Sequence, residues 1–168
     1  MVRNEYRERW AQWLPSALTA LAMDPPDYST VMPQMPLPLS QSEAFARFDG
    51  PPRVALLTTS GAYDVRTQAP FAATSIVGDP THRVFDSKIP RQHIAFAHEH
   101  FDRSFAQSDL ECVVPRDTVH ACGVEVTPHI ISWTGFLLDW PTFIEATIPQ
   151  IVAQVKTDGA NAAIIVPI

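Results

Sequence analysis

Residues 53–59 read Arg-Val-Ala-Leu-Leu-Thr-Thr and are closed at once by Ser60-Gly61. An apolar run without polar alternation belongs to a strand covered on both faces, and such strands occur where helices pack on both sides of a mostly parallel sheet. A second run, Ala162–Val166, points the same way. It follows a helical face of Phe143, Ile144, Ile148, Ile151, Val152 and Val155 that begins near Pro141 and stops at Asp158-Gly159. Helix, tight turn and buried strand make half of a βαβ unit, so the expected fold is α/β, a mostly parallel sheet flanked by helices. Pro149 falls inside the helical pattern and should kink it or split it in two.

Two further features complete the plan. Tyr6, Trp10, Trp13, Leu14, Ala17, Leu18 and Leu21 recur at helical spacing and predict an N-terminal helix ending before Asp24-Pro25-Pro26. Pro33, Pro36, Pro38 and Pro51 then favour extended backbone. Residues 1–52 thus read as a helix and a proline-rich strap, and residues 53–168 as the α/β domain. Within that domain no clean periodicity runs from Gly61 to about Gln92, a loop long enough to suggest function. Short strands are expected at Ile94–His98, Glu111–Val114 and Ile130–Trp133.

Charge and cysteine content exclude several classes. The net charge is −6, and Lys88 and Lys156 are the only lysines beside ten arginines, so no basic stripe is present to neutralise nucleic-acid phosphates. No apolar run approaches the ~20 residues of a membrane-spanning helix. The opening Met1–Arg9 alternates charges, unlike a secretory signal, and a cytoplasmic location is the expectation. Cys112 and Cys122, ten apart, match neither a CxxC pair nor a zinc knuckle and read as two buried thiols.

Three polar clusters could carry chemistry. The densest is His98-Glu99-His100-Phe101-Asp102-Arg103. If the strand from Ile94 runs through it, His98, His100 and Asp102 share one face, with Phe101 turned to the core, and both imidazoles should face a cavity. Two imidazoles and a carboxylate so placed suit a substrate or a metal, although Arg103 stands where the HxHxDH pattern of metallo-hydrolases has its last histidine. The alternative is that His98 or His100 is a hydrogen-bonded residue at a strand end. The second cluster is Gly78-Asp79-Pro80-Thr81-His82-Arg83, where Arg83 could take a substrate carboxylate bidentately, or else meet Asp79 at the surface. The third is Thr58-Thr59-Ser60-Gly61, whose small residues would let a ligand approach the backbone. His120 and His129 stand alone.

Six segments in order resemble one family, the selenoprotein B subunits of glycine, sarcosine, betaine and D-proline reductases and their selenium-free homologues. Arg53–Gly61 is similar to the family's VALVTTGG, Gly78–Val84 to GDxSYRxI, and His98–Asp102 to HxHYD. Cys112–Pro115 resembles NVVFP, Ser132–Phe136 resembles SFMGY, and Ile148–Pro167 resembles TAPEIAxxLKxDGVDAVLLTP. The resemblance implies reductive cleavage of a C–N bond in a small amino acid derivative, with a thiol or selenol as nucleophile and redox centre. The family places that group in a CxxC or CxxU motif directly after the strand ending in proline, and this chain reaches Ile168 without it.

The expectation is therefore a reductase-like oxidoreductase subunit whose redox Cys or Sec comes from a partner chain. His98, His100 and Asp102 would be its catalytic groups and Thr59, Asp79 and Arg83 its substrate-binding groups, with no metal or other cofactor. A redox-inactive scaffold subunit and a metal-dependent enzyme using the His98/His100 pair are the alternatives. Parallel strands starting near Val54, Ile94 and Ala162 would end on one sheet edge, the ligand edge of such folds, and bring Pro167 and Ile168 close to Thr59 and the His98 cluster.

Overall fold

A computed structural model describes residues 2–37, 50–99 and 101–168. The chain divides into two compact units, residues 1–47 and 48–168.

In the first unit, helix α1 (Val2–Leu21) buries Tyr6, Trp13, Ala17 and Leu21, four of the seven stripe positions, while Trp10, Leu14 and Leu18 are half-buried. The strap is not uniformly extended. Asp27 caps a short helix α2 (Tyr28–Val31) by accepting from the Thr30 amide at 3.1 Å, and a 3₁₀ turn, Met32–Gln34, carries Pro33 in its first turn. The Trp13 indole N–H donates to the Val31 carbonyl at 3.0 Å and ties α2 to α1. Pro38 and the residues up to 49 lie outside the described residues.

The second unit is built on a four-stranded sheet in the order β3 (Arg83–Asp86), β5 (Glu125–Ser132), β1 (Arg53–Thr58), β6 (Ala162–Val166). β5, β1 and β6 are parallel, and β3 is antiparallel to β5. Helices cover both faces, and the architecture is α/β. Val54, Leu56 and Ile130 turn to one face, where α3 (Ser104–Ser108) contributes Ala106 and α4 (Arg116–Ala121) contributes Val119. Ala55, Leu57 and Ile131 turn to the other, against Phe143 and, from α6 (Ile148–Thr157), Ile151. The predicted helix begins as a single turn, α5 (Trp140–Thr142), continues as a π-helical stretch, Phe143–Thr147, and regains α geometry in α6 with Pro149 in its first turn, where a missing N–H costs least.

Several expectations are corrected. Glu111–Val114 is not a strand: Asp109 caps a 3₁₀ turn, Leu110–Cys112, and Val113 and Val114 are buried from the segment after it. Cys112 and Cys122 are exposed and unbridged, because Leu110, Val114 and Val119 take the core positions around them. β6 is an edge strand with Ile164 36% and Ile165 58% exposed, not a strand buried on both faces. The strand at Ile94 lies outside the main sheet. It is a three-residue β4 (Ile94–Phe96), paired antiparallel with β2 (Ala62–Asp64).

Proline inside the interior strand β5 is accommodated by a bulge. Val54 pairs with Val126, but Leu56 pairs with Ile130, so two residues of β1 face four of β5 across Thr127-Pro128. Pro128 cannot donate to a ladder, and the irregularity removes that demand while its carbonyl accepts from the Ser87 amide at 2.8 Å.

Candidate functional site

The parallel strands deliver their carboxyl ends to one edge, and there the chain crosses itself closely. Ser60 bridges to Thr134, and the Gly61 amide donates to the Trp133 carbonyl at 2.9 Å. Gly61 has φ +67°, and a Cβ there would lie 2.7 Å from the Ala97 carbonyl oxygen, so only glycine allows this approach. The Ala97 amide in turn donates to the Gly61 carbonyl at 3.0 Å, which delivers His98 to the same edge.

His98 is 3% exposed, and its Nε2 accepts from the Gly135 amide at 3.1 Å. A backbone N–H can only donate, so Nε2 carries the lone pair and the neutral ring holds its proton on Nδ1. The ring meets Phe101 edge-on at 5.2 Å between centroids, and Phe101 packs against the core as expected. Thr59 closes the opposite side. Its hydroxyl oxygen accepts from the Ile168 amide at 2.7 Å, and its amide donates to the Val166 carbonyl at 3.1 Å. Ile168 thus stands where expected, beside Thr59 and His98. Three polar groups converge on the Cα of Gly135: a Cβ there would lie 2.6 Å from the Ile168 carbonyl oxygen, 3.2 Å from Thr59 Oγ1 and 3.3 Å from His98 Nε2.

Asp79 joins this edge through the Thr134 hydroxyl, which donates to its carbonyl at 3.4 Å. Partial burial opposes ionisation of its carboxylate. Hydrogen bonds from Thr81 and the Ala72 amide, with the nearby Arg83 charge, outweigh that and hold the pKa below the ordinary aspartate value. Arg83 lies at the same edge, since it pairs with Ser132. Its guanidinium stacks on Phe71 at 4.2 Å and donates to the carbonyls of Ala69, Pro70 and His82 and to the Thr81 hydroxyl, which fixes the 69–82 loop. Burial, and then the Arg83 charge, push the His82 imidazole below its ordinary pKa.

His98 and Asp102 do not share the expected face. β4 stops at Phe96 because β2 has only three residues and its chain turns away at Gly61. Asp102 is exposed and accepts from the Ser104 amide at 2.9 Å just before α3, a bond that lowers its pKa, rather than joining His98. His100 lies outside the described residues. Among the described residues no three His, Cys, Asp or Glu side chains are grouped as metal ligands.

The cavity among His98, Asp79, Thr134 and Phe136 is about 10 Å³, room for about one water. A ligand of amino-acid size would therefore lie on its rim, over exposed Gly135 and Glu99. Gly135, Thr134 and Phe136 were not singled out as site residues from sequence. Gly135 contributes a backbone N–H and the absence of a side chain, and only the break from apolar strand to Thr134-Gly135 hints at it. No family model, curated protein or solved structure matches this chain.

No helix among the described residues is long and apolar enough to cross a membrane.

Proposed function

We propose that the chain is a subunit of a cytoplasmic reductase-like enzyme, similar to the selenoprotein B subunits named above, that acts on a small amino acid derivative. A thiol or selenol on a second polypeptide supplies the redox group. The observation supporting this reading is the convergence of Thr59, His98 and the Ile168 backbone on Gly135, at the edge where parallel α/β sheets bind ligands. Thr59, Asp79 and Arg83 position the substrate, and His98, with His100 beside it in sequence, handles protons. The reaction type is reductive C–N cleavage. Two electrons and two protons from a dithiol convert C–N to C–H and N–H, and the dithiol becomes a disulfide. The edge strand β6, with Ile164 and Ile165 exposed, is a surface that the second polypeptide would cover.

The test uses the assembly purified from its source. Native mass spectrometry should find this chain bound to a polypeptide carrying a reactive Cys or Sec. With dithiothreitol as reductant, the assembly should release the amine, or the opened ring, from one of glycine, sarcosine, betaine and D-proline. His98→Gln retains a hydrogen-bond acceptor for Gly135 but cannot transfer a proton, so kcat should fall at least about 10²-fold with the melting temperature unchanged. A partnered but catalytically silent assembly would favour the scaffold reading. Stoichiometric metal with no thiol partner would favour the metal-dependent one.

A further inference from the structure

A cavity of about 700 Å³ in the second unit lies at the opposite edge of the sheet from the His98 site. Its walls come from the turn after β3, from α4, and from the start of β5. β5 places its Glu125 end at this cavity and its Ser132 end near His98, about 20 Å apart at strand rise. The volume is within the ~300–1,000 Å³ usual for small-molecule pockets.

Charge is distributed unevenly around this cavity. The protein carries a net −6 and has two lysines, yet Lys88, Arg116 and His120 all line it. Its two acidic liners are turned to arginines: Glu125 Oε1 is 3.2 Å from Arg53 Nε, and Asp117 Oδ1 is 3.8 Å from Arg116 Nε. The Arg116 guanidinium is held in the wall, since one Nη donates to the Ser87 carbonyl at 2.9 Å and to the Ile89 carbonyl at 2.6 Å. That leaves its other Nη without a protein acceptor among the described residues. The Lys88 ammonium and the His120 ring likewise make no hydrogen bond or ion pair there. Val124 and Val126 supply an apolar wall beside these donors. A prearranged guanidinium and an unpaired ammonium beside apolar surface fit a ligand with an anionic head and a short carbon body.

We propose that this cavity binds a small organic anion, with its carboxylate or phosphate head on Lys88 and Arg116 and its carbon body on Val124 and Val126. The site is separate from the one at the carboxyl edge and does not depend on the reductase reading.

The experiment is an NMR titration of the ¹⁵N-labelled full chain with butanoate, n-butyl phosphate and n-butanol at constant ionic strength. Saturable shifts are expected at the amides of Lys88 and residues 123–126 with at least one anion and not with butanol. Comparison of the two anions tells a carboxylate site from a phosphate site. Lys88→Gln, an exposed position with no structural bond from its side chain, should weaken binding about tenfold, the loss of one charge-assisted hydrogen bond. The proposal is overturned if neither anion saturates these amides, if butanol shifts them equally, or if Lys88→Gln binds as tightly as the parent.

Discussion

An alanine at position 135 tests the carboxyl edge one methyl group at a time. Gly135 has no left-handed backbone to strain, so the effect of Gly135→Ala is purely one of contact. The new Cβ would sit 2.6 Å from the Ile168 carbonyl oxygen and within 3.3 Å of Thr59 Oγ1 and His98 Nε2. Overpacking of this kind costs about 1–3 kcal/mol, and each kcal/mol lowers the melting temperature by about 2–4 °C in a chain of this size. The yielding partner should be Ile168, whose amide is held by Thr59 alone, so hydrogen exchange at Ile168 should accelerate before any other part of the sheet loosens. If the alanine variant melts with the parent and Ile168 exchanges unchanged, the convergence is looser than described.

The elements differ in how they are held, and β2 is joined to β3 by polar groups. Asp64, buried at the end of β2, accepts from the Arg66 guanidinium at 2.9 and 3.0 Å, from the Arg66 amide and from Thr67. Gln68 completes the tie by accepting from the Asp64 amide and donating to the Val84 carbonyl of β3. The Arg66 hydrogen bonds lower the Asp64 pKa to about 2. A carboxylate with its folded value depressed contributes stability that is complete above the unfolded value of about 3.9 and is lost as pH falls toward 2. Urea unfolding followed from pH 5 to pH 2 should therefore show a steeper decline for the parent than for Asp64→Asn, the two converging at the acid end. β2 and β3 were not legible beforehand, because three or four residues are too few to show a period and these two are set by Gly61 and by pairing with β5. β1 and the Ile130–Ser132 end of β5 were legible because consecutive apolar residues there face two cores, and α6 because its apolar residues repeat at helical spacing. Glu111–Val114 misled because the segment after a 3₁₀ turn can bury consecutive valines as a strand does. At the site, Thr59, His98 and Asp79 were visible as polar residues at a strand end or turn. Gly135 was not, since its contribution is a backbone amide.

For the molecule as a whole, the sheet is a wall between two apolar cores, and each strand must keep its odd and even positions on their own sides. Val54 and Leu56 belong to one core, Ala55 and Leu57 to the other, and across the bulge Val126 and Ile130 stay with the first while Ile131 stays with the second. This holds because the excess in β5 is two residues. The excess is thus a matter of parity: an even insertion shifts the chain along the wall but leaves each side chain in its own room, whereas an odd one exchanges the rooms. Removing Thr127 and Pro128 together should give a folded protein with a lowered melting temperature, since both cores survive and only the Ser87 contact and local packing are lost. Removing Thr127 alone should give a chain without a cooperative thermal transition, because one half of β5 would then present its apolar side chains to the wrong core. Length changes compatible with this fold at that point come in twos.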